Sequence, residues 1–125
     1  MTPVPTSEDL ARACVRFAYD KKAEEIVALD LRGISTFTDF FVICTGNSDP
    51  QLKAIAGSIR EGLRDELQTA PLAVDGYPVS QWMVLDYAQV IVHIFHESKR
   101  DFYDLETLWN DAPRLDLADL VMEAK

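Results

Sequence analysis

The turn Gly46-Asn47-Ser48 is a first group of residues whose types and spacing could support chemistry. It stands between an apolar run and a helical pattern, and the free N–H groups that begin a helix can bind a phosphate. Nucleotidyltransferases combine such a turn with two carboxylates, as in Asp-x-Asp, that hold Mg²⁺. No Asp/Glu-x-Asp/Glu pair occurs on any predicted strand, and Asp86 has no second carboxylate two residues away. We therefore predict that the turn caps a helix, and nucleotide binding is the alternative.

His93 and His96 are a second candidate, because histidine is a common metal ligand. Their β-branched neighbours predict a strand, in which residues three apart point to opposite faces. A zinc site also needs further ligands, and neither Cys14 nor Cys44 is near in the sequence. Both cysteines are expected to be small buried residues. Since Gly-x-Ser-x-Gly is absent as well, we predict no catalytic residue, no metal site and no cofactor.

Aromatic residues concentrate in the last third of the chain. They are Trp82, Tyr87, Phe95, Phe102, Tyr103 and Trp109. Trp and Tyr contribute much of the free energy at protein interfaces, because they combine a large area with a polar tip. Others must fill the core, and helical spacing assigns Phe102 and Trp109 to it. The composition leaves both interpretations open.

The elements that position these residues can be predicted from hydrophobic periodicity. A first helix follows a cap at Thr6 or Ser7, and a second follows a cap at Ser48 or Asp49 with Pro50 in its first turn. A third helix is expected after a cap at Ser98. Strands are expected at residues 26–31, 40–45, 72–74, 82–87 and 90–95, with a turn at 75–76 and a hairpin at 88–89. Helices between strands indicate an α/β layer with a mixed sheet, and the second strand should be central.

The size and composition fit one domain. The chain has 125 residues, of which 48% are hydrophobic and 26% charged. We expect a disordered tail over residues 1–6, the α/β domain over 7–113, and a C-terminal tail over 114–125 with a possible short helix from Asp116. No apolar run is long enough to span a membrane. The acidic N-terminal residues are wrong for a transit peptide, so a cytoplasmic location is expected.

The net charge of −9, from 12 basic and 21 acidic residues, limits the possible partners. Nucleic-acid binding depends on neutralising phosphates with Lys and Arg, and the longest basic cluster here is Lys99-Arg100. We therefore expect no strong direct nucleic-acid binding. The acidity suits a basic protein partner, although it could also serve solubility alone.

The motifs of the chain, taken in order, resemble those of one family. The segments that carry the likeness are residues 26–33, 40–48, 82–87, 90–97, 101–109 and 111–113. Together they closely resemble the ribosomal silencing factor family, also called Iojap-like, over roughly residues 8–113. One departure is visible, because the family usually has Gly-Asp where this chain has Ala88-Gln89. That change affects the type of the hairpin turn.

The resemblance implies a fold and a function. Members of the family have a small α/β fold with a nucleotidyltransferase-like layout but without catalytic carboxylates or activity. They bind the large ribosomal subunit through its protein fourteen, block its joining with the small subunit and slow translation when nutrients are short. Free members are often homodimers. The partner-facing residues of the family match Trp82, Asp86, Tyr87, His93, Phe95 and His96 here.

The leading hypothesis is therefore a translational silencing factor that is not an enzyme. One alternative is a nucleotidyltransferase-like nucleotide-binding protein, which calorimetry with nucleotides and Mg²⁺ would reveal. Another is an assembly factor of the large subunit, which would make the same contact. Strict alternation along a strand places Trp82 and Tyr87, five residues apart, on opposite faces. A common binding surface for the two would therefore need a twist or a bulge.

Overall fold

The computed structural model describes residues 5–76 and 81–121. Its elements in chain order are α1 (Ser7–Asp20), β1 (Glu24–Asp30), β2 (Phe40–Gly46), α2 (Asp49–Leu67), β3 (Ala73–Gly76), β4 (Trp82–Asp86), β5 (Val90–His96), α3 (Glu97–Tyr103) and α4 (Leu105–Leu108). The predicted alternation of helices and strands is confirmed, except that the third helix is divided into two.

The five strands form one mixed sheet in the order β1-β2-β5-β4-β3. β2 and β5 are parallel, and the other neighbouring pairs are antiparallel. All seven residues of β2 are buried, which confirms that this almost continuously apolar segment is a central strand. The α/β fold with a mixed sheet is confirmed.

The two faces of the sheet carry separate cores. α1 and α2 cover one face, where the apolar stripe of α2 meets Phe40, Val42, Val92 and Ile94. The opposite face carries Phe41, Ile43 and Phe95, and α3 with the residues that follow it covers part of that face. Because side chains alternate along a strand, β1, β2, β4 and β5 each contribute to both cores, whereas the residues of β3 are exposed. We call the second face the aromatic face.

The N-termini of both long helices are capped as the sequence predicts. The Thr6 hydroxyl accepts the Asp9 N–H at 3.0 Å, and the Asp9 carboxylate accepts the Thr6 N–H at 3.0 Å. The Ser48 hydroxyl accepts the Gln51 N–H at 3.2 Å, and Pro50 lies in the first turn of α2. These side chains satisfy N–H groups that the helices themselves leave without a partner.

The third helix differs from its prediction in its cap and its length. His96, not Ser98, is the cap, since His96 Nδ1 accepts the Ser98 N–H at 3.2 Å. The helix then ends at Asp104, whose φ of 46° lies in the left-handed region. This break turns α4 away from the line of α3, so the apolar stripe expected along both does not form. Phe102 is consequently 74% exposed, and its prediction as a core residue was wrong.

Two smaller predictions also need correction. Asp75 and Gly76 pair with Val84 and Met83 in the sheet, so β3 continues through the two positions where a turn was predicted. Residues 118–120 form a hydrogen-bonded turn where a short helix was expected; Ala124, the last apolar residue of that expected helix, lies outside the described residues. The segment before this turn follows the outer edge of β1, because the Leu115 N–H donates to the Ala28 carbonyl at 2.9 Å.

The hairpin between β4 and β5 forms despite its unusual turn residues. Ala88 adopts a φ of 68°, a conformation that costs a residue with a Cβ atom some free energy. The Asp86 carboxylate accepts the Ala88 N–H at 2.8 Å, and the Tyr87 N–H donates to the Val90 carbonyl at 2.9 Å. The side chain of Asp86 thus stabilises the turn.

Across the described residues, each helix is too short or too polar to cross a bilayer.

Candidate aromatic binding surface

The pairing of β4 with β5 places four of the predicted site residues on the aromatic face, namely Trp82, Asp86, His93 and Phe95. Trp82 is opposite Phe95, Val84 opposite His93, and Asp86 opposite Ile91. The rings of Trp82, His93 and Phe95 belong to a larger set of rings that contact one another in a chain, with the centroids of neighbouring rings between 4.4 and 6.4 Å apart. The members are Phe37, Phe41, Trp82, His93, Phe95, Phe102, Tyr103 and Trp109. We call this set the aromatic cluster.

Trp82 lies at the middle of the aromatic cluster and is half-buried. Its ring centroid lies 4.4 Å from that of Tyr103 on α3 and 5.1 Å from that of Phe95 on β5. Its indole N–H donates to His93 Nδ1 at 3.1 Å. The indole is therefore held on three sides and partly open to solvent, the arrangement of a rigid anchor at an interface.

His93 supports this arrangement from below. It is only 6% exposed, and the Phe41 ring meets its imidazole edge-on with centroids 4.5 Å apart. Burial lowers the pKa of His93 to about 4, because a charged imidazole would lose its hydration. The ring is neutral at pH 7, with its proton on Nε2 because Nδ1 accepts from Trp82. Within the described residues, Nε2 has no hydrogen-bond partner.

The other predicted residues of β4 and β5 have varied surroundings. Phe95 is fully buried beneath Trp82 and Tyr103, so it can support a contact but cannot make one. Asp86 is half-buried and holds the hairpin turn. His96 is half-buried and caps α3. Among the described residues, no group of three or more His, Cys, Asp or Glu side chains is placed to hold a metal ion.

Tyr87 does not share the surface of Trp82. It is 5% exposed and lies on the opposite face of the sheet, in the core beneath α1 and α2. Strict strand alternation is the cause, and neither a twist nor a bulge overrides it in this hairpin. Burial raises the pKa of the Tyr87 phenol, and the nearby Cys14 adds to this effect. The prediction that Tyr87 contacts a partner therefore does not fit its position in the core.

Sequence reasoning missed two residues of the surface. Phe37, in the connection between β1 and β2, is 58% exposed, and its ring lies 6.1 Å from Phe41 and 6.2 Å from Trp109. Phe102 is exposed at the other end of the cluster, with its ring 5.1 Å from Tyr103. Phe37 stands alone between polar residues in the sequence, so no periodicity marked it. Phe102 was hidden by the break at Asp104.

The surroundings of the aromatic cluster are acidic. Residues 81–111 include six acidic residues and two basic ones. Of the two basic residues, Arg100 is buried and paired with Glu106, at 2.8 Å between Nε and Oε1. Of the two, Arg100 thus has its charge neutralised by an ion pair, which leaves Lys99 to offset the remaining acidic residues. An open aromatic surface with acidic flanks suits a basic partner.

Arg100 fastens α3 to the sheet and so positions Tyr103 beside Trp82. Its guanidinium donates to the Thr45 hydroxyl on β2, to the Glu25 carbonyl on β1 at 2.8 Å, and to both oxygens of Glu106. The Glu106 pKa is lowered, mainly by this hydrogen bond. Sequence reasoning saw Arg100 only as half of a surface basic pair, because nothing in the local pattern marks a buried arginine.

The Gly46-Asn47-Ser48 turn is joined to the first turn of α2 by hydrogen bonds with Gln51. The Asn47 N–H donates to Gln51 Oε1 at 2.8 Å, and the Ser48 hydroxyl takes the Gln51 N–H. The Gln51 amide donates in turn to the carbonyls of Lys21 and Lys22. The turn therefore joins the end of α1 to the start of α2, which supports its interpretation as a helix cap.

Comparison with known proteins gives a consistent result. A family model described as "Ribosomal silencing factor during starvation" matches residues 4–125. The protein named ribosomal silencing factor RsfS from Halalkalibacterium halodurans is 39% identical over 116 residues, which are 93% of this chain and 98% of that protein. Its namesake from Bacillus subtilis is 46% identical over 98 residues, 78% of this chain and 82% of that one.

Solved structures show the same fold. A crystal structure of a Bacillus halodurans protein superposes with a TM-score of 0.76 at 38% identity, covering 88% of this chain and 99% of the other. A Chromobacterium violaceum protein gives a TM-score of 0.78 at 27% identity, with 84% and 87% covered. With a family model along nearly its whole length and relatives at 39% and 46% identity, the chain belongs to the ribosomal silencing factor family.

Proposed function

We propose that this protein silences translation by binding the large ribosomal subunit through its protein fourteen, which blocks joining with the small subunit when nutrients are limiting. The observation that carries the proposal is the half-buried Trp82 at the middle of the aromatic cluster. A tryptophan that is held rigidly and left partly open is a common energetic centre of an interface. The role in ribosome silencing follows from membership of the family.

Charge supports a protein partner rather than RNA as the main contact. The acidic flank of the aromatic cluster would repel phosphates but attract the basic side chains of a ribosomal protein. We assign the contact to Trp82 and Asp86, with Phe37 and Phe102 at the two ends of the surface. His96, which caps α3 at the end of β5, is not assigned to it, because residues three apart on a strand point to opposite faces. Phe95 and His93 act from beneath it.

We further propose that the protein acts without catalysis, in the cytoplasm, and as a homodimer when free. Non-catalytic action is supported by the helix-cap role of the Gly46-Asn47-Ser48 turn, in which the Asn47 N–H and the Ser48 hydroxyl are both bonded to Gln51. A homodimer is supported by the exposed apolar side chains of Phe37, Phe102 and Leu108, since contiguous apolar surface is unfavourable in water. Light scattering after gel filtration measures the mass of the free protein, and a strictly monomeric mass would contradict the dimer.

Co-sedimentation with purified large subunits, small subunits and joined ribosomes tests the proposal. The parent protein should sediment with large subunits and lower the yield of joined particles when both subunits are mixed. Binding to small subunits alone, or no change in joining, would contradict it. Saturable nucleotide binding in calorimetry would favour the nucleotide-binding alternative instead.

Trp82→Ala should weaken large-subunit binding by at least about 2 kcal/mol, the scale of an interface hot spot. Because Trp82 is half-buried, its loss should lower stability by less than the roughly 3–5 kcal/mol of a buried aromatic residue. Tyr19→Ala, which truncates a half-buried ring on α1 away from the aromatic face, is the matched control and should bind normally. A large drop in melting temperature with normal binding by the folded fraction would place Trp82 in the core instead.

A further inference from the structure

His93 combines deep burial with a single polar contact. It lies in the middle of β5, between Ile43 of β2 and Val84 of β4. Only 6% of its surface is exposed. Rings of Phe41, Phe95 and Trp82 surround it. Nδ1 accepts the Trp82 indole N–H at 3.1 Å, and in the described part of the chain Nε2 is without a partner.

We infer that His93 is a positioning residue, whose neutral imidazole fixes the Trp82 indole in the orientation that meets the partner. The inference rests on the proposed function, which makes Trp82 a contact residue. It differs from the expectation that His93 itself faces the partner, because a ring that is 6% exposed has almost no surface to offer.

The chemistry of the imidazole explains why a histidine stands here. A buried N–H without a partner is unfavourable inside a protein. A leucine or phenylalanine would fill the same space among apolar rings and would carry no such N–H. What the histidine adds is an acceptor at Nδ1, and that acceptor is used by Trp82. A polar side chain at a core position that an apolar side chain would fill equally well is typical of a residue that serves function.

The aromatic neighbours of Trp82 do not fix its orientation by themselves. Tyr103 lies at a 44° interplanar angle and Phe95 at 27°, and ring contacts tolerate a range of offsets and tilts. A hydrogen bond is far more directional, since it weakens steeply when the donor angle closes. The Trp82–His93 bond therefore selects one orientation among those that stacking permits.

The bond can be observed without the ribosome. Exchange of the Trp82 indole N–H with solvent, followed by ¹⁵N–¹H NMR, should be slow in the parent protein. His93→Leu removes the acceptor and should raise the exchange rate at least about tenfold, whereas His93→Gln retains an acceptor and should restore most of the protection. Ile43→Val, at the buried partner position of His93 on β2, is the control and should leave the exchange rate unchanged. Equal exchange in the Gln and Leu variants would overturn the bond.

A double-mutant cycle on large-subunit binding tests the positioning role. His93→Leu should weaken binding about tenfold in the parent, but less than twofold in a Trp82→Phe background, where no indole N–H remains. An undiminished effect in that background would show that His93 acts independently of Trp82 and would overturn the inference. Should His93→Leu fail to fold, His93→Phe takes its place in the cycle.

Failure of this inference is distinguishable from failure of the proposed function. If Trp82→Ala binds like the parent, Trp82 is not a contact residue, and both fall together. If Trp82→Ala weakens binding while His93→Leu does not, the contact stands and only the positioning role of His93 is overturned.

Discussion

At the residue scale, the hairpin residues His93 and Tyr87 each carry a buried polar atom that has no hydrogen-bond partner among residues 5–76 and 81–121. These atoms are His93 Nε2 and the Tyr87 hydroxyl, on opposite faces of the sheet. Such groups are unfavourable unless function or packing compensates. For His93 the compensation is the bond to Trp82. For Tyr87 the described residues offer no such bond, so the apolar packing of its ring in the core is what compensates for the buried hydroxyl.

Tyr87→Phe should therefore leave stability unchanged or raise it by up to about 1 kcal/mol, because it removes a buried hydroxyl that has no partner. Tyr87→Ala should cost roughly 3–5 kcal/mol, since it empties a large buried site. Urea unfolding of both variants measures the two effects. Both should bind the large subunit normally once folded. A clear loss of affinity in Tyr87→Phe would contradict the assignment of Tyr87 to the core.

Stability should fall between pH 6.5 and pH 4.5 through His93. Burial lowers its pKa from 6.5 to about 4, so the unfolded chain binds more protons than the folded one in this range, and stability rises with pH. The protein should be about 2 kcal/mol less stable at pH 5 than at pH 7.5 for this reason. The carboxylates with lowered pKa values, such as Glu66 and Glu106, lose their contributions at lower pH.

Urea unfolding at several pH values measures this dependence, and His93→Gln is the matched control. Since Gln does not titrate, the variant should lose most of the change between pH 7.5 and pH 5. An equal fall in both proteins would show that other groups cause it.

At the scale of elements, the sequence determined the sheet and its helices because their signals are local. β2 is apolar throughout, α2 has an unbroken stripe, and both long helices have side-chain caps. The third helix was predicted less well, because its apolar spacing does not reveal the break at Asp104, which has a φ of 46° and caps α4 by accepting the Thr107 N–H. The site was predicted in part. The family motif located Trp82, and strand alternation already placed Tyr87 on the other face, but only the structure connected Trp82 with Phe37.

Arg100 is the main polar tie between α3 and the sheet, and Arg100→Met should cost roughly 3–5 kcal/mol. Its side chain is 5% exposed, and its loss would leave the fully buried Thr45 hydroxyl without its donor. Adding Thr45→Val should recover part of the loss, because replacing both partners of a buried bond by apolar groups is nearly neutral.

The Arg16–Glu66 pair on α1 and α2 provides the control. It is also bidentate, at 2.8 and 3.3 Å, but its side chains are 46% and 48% exposed. Water screens such a pair, so Arg16→Met should cost less than about 1 kcal/mol. Urea unfolding measures the free energy of unfolding of Arg100→Met and Arg16→Met. Similar losses of stability in the two variants would show that burial is not what makes the Arg100 pair stabilising.

At the scale of the whole molecule, charge and topology divide the protein into two sides. α1 and α2 cover one face of the sheet with a conventional core, and the other face is left partly open with its aromatic cluster and acidic flanks. Three of the exposed basic residues, Lys53, Arg60 and Arg64, lie together on α2, away from the aromatic face. This distribution distinguishes two ways of binding the large subunit, since a protein contact would use the aromatic face and an RNA contact would use α2.

Large-subunit binding should accordingly depend only moderately on salt. A protein that neutralises 6–10 phosphates loses about 10³–10⁵ in affinity between 50 and 200 mM salt, because counterions are released on binding. A contact between the acidic aromatic face and a basic protein releases few of them, so affinity should fall by less than about tenfold over this range. Sedimentation at both salt concentrations measures the fall. Arg60→Gln with Arg64→Gln should leave both the affinity and its salt dependence unchanged, because α2 lies outside the proposed contact. A drop of several decades in the parent protein, reduced by those two substitutions, would instead establish α2 as an RNA-binding helix and contradict the protein contact proposed for Trp82.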